Sequence, residues 1–176
     1  FWITFVGGRA SIPIDPSDYT TLIRMVRRAD LGWAAKYGNV LLARALLALG
    51  DDVNGRSGEG MLPLHWAASC EQVGMVRLLL EHGADPNSWD CTGRTPLHHS
   101  AMSGNMELAT LLLCGGANTC LVDDHGDTAR AVAQMMGKHE VATLIGQVVS
   151  NQEARVLSGS TSAGSVKGGE VVRRRL

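Results

Sequence analysis

The sequence predicts an all-α solenoid of about four helix-turn-helix repeats with short hairpin loops, and three recurring spacings predict it. Pro63-Leu64-His65-Trp66-Ala67-Ala68 recurs 33 residues on as Pro96-Leu97-His98-His99-Ser100-Ala101, and Trp33-Ala34-Ala35 lies 33 residues before Trp66-Ala67-Ala68. Gly50, Gly83 and Gly116 keep the same step. So do Gly38, Gly104 and Gly137, with Glu71 in the place where a fourth glycine belongs. Three landmarks that share one period over four copies divide the repeat region, residues 30–148, into copies at about 30–56, 57–89, 90–122 and 123–148.

Each copy has the same grammar. A short first helix opens at Pro63 or Pro96, because proline has no N–H to leave unpaired in the first turn. Thr95 precedes Pro96 and supplies a capping hydroxyl, and Thr128 recurs 33 residues later. A turn follows, then a second helix with apolar residues at helical spacing: Val40, Ala43, Leu46 and Leu47; Val73, Val76, Leu79 and Leu80; Met106, Ala109, Leu112 and Leu113. Gly83 and Gly116 end two of these helices in the left-handed conformation that glycine adopts readily. A polar stretch rich in Asp, Asn and Gly leads to the next copy.

The grammar resembles the ankyrin-repeat family, whose signature is Thr-Pro-Leu-His-x-Ala. The strongest matches are Gly93-Arg94-Thr95-Pro96-Leu97-His98 and the run Leu78 to Asn87. Departures are also informative. Leu62 stands where a capping Thr belongs, a loss of about 1 kcal/mol. Glu71 stands at the turn glycine, where a left-handed backbone costs roughly 1–2 kcal/mol. The copy at 57–89 is therefore expected to be locally weak and to lean on its neighbours. Ala129-Arg130-Ala131 replaces Pro-Leu-His in the last copy, as suits a terminal repeat.

The flanks differ in character. Residues 1–14 read as a flexible N-terminal segment. Asp15-Pro16 reads as a helix start, and Tyr19, Leu22, Ile23 and Val26 fall on one face, so residues 15–29 are expected to form a helix capping the stack. Residues 149–176, with Ser-Gly-Ser-Thr-Ser-Ala-Gly-Ser and Arg173-Arg174-Arg175, read as a disordered basic tail.

Composition narrows the function classes. The formal net charge of −1 hides an acidic middle: residues 51–127 carry eleven acidic and three basic side chains, a net of −8. Such a surface repels phosphate backbones, so nucleic acid is not expected as the main partner. Cys70, Cys91, Cys114 and Cys120 have no C-x-x-C spacing and read as free thiols, which suits an intracellular site, cytoplasmic or nuclear. The apolar start, Phe1 to Val6, is too short to span a membrane.

No enzyme is legible. The only adjacent His pair, His98-His99, points about 100° apart on a helix, so no metal set of four ligands assembles. There is no Gly-x-Ser-x-Gly elbow and no phosphate loop, and Gly55 to Gly60 read as a hairpin turn. Catalytic, cofactor and metal residues are all expected to be none. The resemblance implies that His65 and His98 hydrogen-bond to neighbouring loops.

The resemblance instead implies binding through hairpin tips and the concave face of the first helices. That register selects Lys36, Tyr37 and Arg56 in the first copy, and Glu59, Met61, Ser69 and Cys70 in the second. It selects Trp89, Thr92, Arg94, Met102 and Ser103 around the third, and Val122, Asp124, His125, Asp127, Met135 and Met136 around the fourth. Trp33 and Trp66 lie within first helices and read as packing residues. Trp89 lies in a joining loop and reads either as a binding hot spot or as packing on the adjacent loop. The mixture of Met, Trp and Tyr ringed by acids suits an apolar partner segment with basic flanks. The expected role is a protein-binding adaptor or scaffold, and the second reading is the regulatory repeat region of a larger enzyme or channel cut at Phe1. Asn54 and Asn87 are expected to stabilise turns by hydrogen bonding.

Overall fold

A computed structural model describes residues 2–4, 11–13, 30–57 and 60–159, the last eight as helix backbone. The chain divides into two units, residues 1–30 and 31–176. In the first, strands β1 (Trp2–Thr4) and β2 (Ser11–Pro13) pair antiparallel, with Trp2 opposite Pro13 and Ile3 opposite Ile12. The sequence reading of 1–14 as a flexible N-terminal segment does not anticipate this pairing. β-branched and aromatic residues favour the pairing, and Pro13 sits at the strand end, where a missing N–H is tolerated. The helix expected over 15–29 lies outside the described residues.

The second unit is a stack of four helix pairs. Helices α1 (Leu31–Lys36) and α2 (Val40–Ala48) form the first. The second comprises α3 (Pro63–Ser69) and α4 (Val73–Glu81). Next come α5 (Pro96–Ser103) and α6 (Met106–Cys114), then α7 (Ala129–Met135) and α8 (His139–Gly159). First helices pack on first helices, α1 on α3, α3 on α5 and α5 on α7, while second helices follow the same order behind them. No helix among the described residues is long and apolar enough to cross a membrane. The last helix runs past residue 148, so the basic tail begins later than residue 149. The stretch from Gln147 to Leu157 has no glycine or proline to stop it, and Glu153, Ala154, Arg155 and Leu157 are good helix formers.

Small and branched residues let these helices approach closely. Ala34, Ala67, Ser100 and Ala133 are fully buried at one register of the first helices. Met75, Val76 and Leu79 fill the corresponding layer of α4, as Leu108, Ala109 and Leu112 do in α6. The buried stripe of each second helix thus includes residues just beyond the periodic set, such as Met75 and Leu108.

Turn chemistry decides where each helix stops. Gly38, Gly104 and Gly137 have φ of +67°, +81° and +71°, and Glu71 at +56° is the one non-glycine in that region among the described residues. A Cβ at Gly38 would overlap the Gln72 side chain, and one at Gly104 would meet Lys138 Cδ at 2.6 Å. The turns at Gly38 and Gly104 are thus covered by the residue 34 positions on. At Glu71 that residue is Asn105, whose Nδ2 donates to Glu71 Oε2 at 3.1 Å.

Loops are tied across copies by asparagine. Asn54 Oδ1 accepts from Asp85 N at 2.9 Å, and its Nδ2 donates to Gly83 O at 3.3 Å. Asn87 repeats the pair one copy on, with Asn118 N at 2.7 Å and Gly116 O at 3.1 Å. These side chains satisfy backbone groups of the following copy, which a solenoid needs at every junction.

Candidate functional site

The hairpins and first helices form the candidate site, and buried polar groups hold them. His98, on α5, donates from Nε2 to Asp127 O at 3.1 Å in the next hairpin. Its Nδ1 therefore accepts, from Thr95 N at 3.1 Å and from the Thr95 hydroxyl at 2.9 Å. This reciprocal bonding closes the helix start. His65, on α3, uses Nε2 in the same way, donating to Ser88 O and Arg94 O, both at 3.1 Å. Leu62 has no hydroxyl to offer, and His65 Nδ1 is buried without a hydrogen-bond partner. Burial holds the His98 imidazole below its usual pKa. It pushes that of His65 down to about 4, helped by the nearby His99.

The hairpin between α4 and α5 is organised by Asp90, which is 3% exposed. Its Oδ1 accepts from Thr92 N (2.8 Å), Thr92 Oγ1 (2.7 Å) and Arg94 N (3.0 Å). Its Oδ2 accepts from His99 Nε2 at 2.9 Å. Burial alone would raise the carboxyl pKa, but these hydrogen bonds outweigh it and hold the group well below the usual carboxylate range. The His65 ring meets His99 edge-on, with centroids 5.9 Å apart. Asp123 takes the same place in the following hairpin, accepting from His125 N and Asp127 N. Arg94 Nε lies 3.5 Å from Asp123 Oδ2, a charge contact rather than a hydrogen bond. Asp124 N also donates to Thr92 O at 3.3 Å. A Cβ at Gly93 would stand 2.8 Å from Asp124 N, so only glycine fits between these two hairpins. The α4–α5 and α6–α7 hairpins are therefore joined by backbone, charge and close packing.

On the first helices the surface side chains fall into columns. Trp33 and Tyr37 rings stack with centroids 4.8 Å apart, tilted by 43°. Lys36 Nζ lies 4.1 Å from the centroid of the Trp66 ring. Trp66 Nε1 donates to Ser57 Oγ at 3.3 Å. Tyr37 is 54% exposed, and at the far end of the stack Met135 and Met136 are 64% and 53% exposed.

The residues selected from sequence separate on this surface. Lys36 and Tyr37 come together with Trp33 and Trp66, which the sequence assigned to packing and which are only half-buried. Thr92, Arg94 and Asp124 meet across the two joined hairpins, with His125 exposed and Asp127 half-buried beside them. Arg56 is exposed and donates within its own loop, to Gly60 O at 2.8 Å. Met61, Cys70, Trp89, Met102 and Ser103 are half-buried, Ser69 is exposed, and Glu59 lies outside the described residues. Val122 is a correction. It is 6% exposed and its backbone bridges Thr128, so its side chain belongs to the core beside Leu121. Sequence reasoning missed Asp90 and His99 as a pair. The readable signal was Asp90 with Thr92 and Arg94, the spacing of a side chain that caps its own turn.

Among the described residues no group of three or more His, Cys, Asp or Glu is placed to hold a metal ion. The described cysteines are free thiols. A family model for ankyrin repeats (3 copies) matches residues 31–123. No curated protein matches the chain.

Proposed function

Because the chain belongs to the ankyrin-repeat family, whose repeats are generally protein–protein interaction modules, we propose that it is an adaptor or scaffold that grips a polypeptide partner. The grip is made by the hairpin loops and the first-helix face. The observation that carries this reading is the exposure of large apolar side chains, Tyr37, Met135 and Met136, at the ends of first helices. Exposed aromatics and methionines on a rigid scaffold are the residue types that anchor partners. The joined hairpins around Thr92, Arg94 and Asp124 add a rigid polar rim to that face. The partner that fits is a segment with apolar anchors and basic flanks, drawn by the net charge of −8 over residues 51–127.

Crosslinking of captured partners tests the proposal. Crosslinks are expected to map to the first-helix and hairpin side. Capture is expected to fall at least tenfold in a variant carrying Tyr37→Ser, Met135→Ser and Met136→Ser. Crosslinks confined to α4 and α6, or undiminished capture by a folded triple variant, would show that another face binds.

A further inference from the structure

We infer that the face of the Trp66 ring is a seat for a cationic side chain, lysine or arginine, of a polypeptide partner, and that Lys36 occupies it in the unbound chain. This rests on the first-helix face as the partner surface and adds the chemistry that one part of it recognises.

The ring is a fixed platform. Trp66 Nε1 donates to Ser57 Oγ at 3.3 Å, and Ser57 Oγ in turn donates to Met61 O at 2.9 Å, so the hairpin anchors the indole. Lys36 Nζ stands 4.1 Å from the ring centroid, within the roughly 6 Å over which an indole face attracts a cation. The ammonium reaches across from the neighbouring copy on a flexible four-carbon stem, so it is readily displaced. Trp33 and Tyr37 continue the aromatic surface on the Lys36 side, and Tyr37 is 54% exposed. The 33-residue register shows that the arrangement belongs to this junction. The places equivalent to Lys36 hold Ser69, Met102 and Met135, and those equivalent to Trp66 in the later copies hold His99 and Val132. The acidic residues of 51–127 favour the approach of a basic segment to this part of the stack.

The test is a titration followed by the Trp66 indole N–H resonance. The probes are a short arginine-containing peptide and its citrulline counterpart, which keeps the shape and removes the charge. The arginine peptide is expected to move the resonance and the citrulline peptide to leave it in place. Lys36→Met is expected to bind the arginine peptide at least threefold more tightly, because the resident cation is gone. An equal response to both peptides, or equal or weaker binding by Lys36→Met, overturns the inference. Trp66→Leu is expected to abolish binding; if that variant does not fold, the Lys36 comparison alone decides. An arginine response that survives while crosslinks map to the opposite face would count against the broader partner surface and not against this seat.

Discussion

Asp90 shows how much one buried side chain can organise when both carboxylate oxygens accept hydrogen bonds. It accepts from Thr92 twice, from Arg94 N and from His99, and so fixes the hairpin and ties it to α5. Asp90→Ala is expected to cost about 3 kcal/mol in urea denaturation, since it strands several part-buried donors at once. A loss below about 1 kcal/mol would mean that water replaces those bonds. Glu71 makes the opposite case. Its left-handed backbone costs roughly 1–2 kcal/mol, and its exposed contact with Asn105 returns less than that. Glu71→Gly is therefore expected to raise stability by about 0.5–1 kcal/mol, visible as a higher melting temperature; an unchanged or lower melting temperature would show that the Asn105 contact carries the turn. The strain at Glu71 was legible because the period names the position that must turn left. The Asn105 bond was not, since it depends on which side chain of the next copy overhangs the turn. The Asp90–His99 contact was hidden in the same way, because it forms only after the hairpin folds back on α5.

Helices α3 and α5 are near copies whose difference lies at their first turns. Thr95 gives α5 a capped start and gives His98 Nδ1 a partner; Leu62 gives α3 neither. Leu62 is itself 5% exposed, so α3 exchanges a polar cap for buried apolar surface. Both histidines remain neutral clamps on hairpin carbonyls, and that makes the stack acid-sensitive. Burial, with the help of His99 and against the pull of Asp90, lowers the folded pKa of His65 to about 4 from an ordinary 6.5. Between those values the unfolded chain binds more protons than the folded one, so stability rises with pH. Acidification from pH 6.5 to 4 is expected to remove up to about 3 kcal/mol through His65, with His98 acting in the same direction. Asp90 and Asp123, both held low, give stability present above the unfolded carboxylate range and lost at still lower pH. Urea midpoints at pH 7.5, 5.5 and 4.5 check this, and a flat series would contradict it. The clamp positions were readable from the repeat, and the missing cap from Leu62. The orphaned Nδ1 was not, because it follows from the tautomer that the hairpin carbonyls impose on His65.

At the scale of the whole stack, the described helices of each copy pack chiefly on those of its neighbours, so damage should spread by distance along the stack. The last helix is the place to see this. Ile145 and Val141 on α8 are fully buried, and α8 packs on both α6 and α7. The repeat count was legible from three spacings, and so was the atypical last copy. The length of α8 was misjudged because the serine- and glycine-rich composition begins only near Ser158, beyond the point where the period ends. Ile145→Ala leaves a cavity against two helices and is expected to cost about 3 kcal/mol. In a one-dimensional stack this loss falls first on the copies that touch α8. Hydrogen exchange should therefore show the largest loss of protection in α7 and α8, a smaller loss in α5 and α6, and the least in α3 and α4. Equal loss in every helix would mean that the stack opens only as one cooperative unit. In that case the short length of the array, rather than its nearest-neighbour contacts, would set how the protein responds when a partner loads one end.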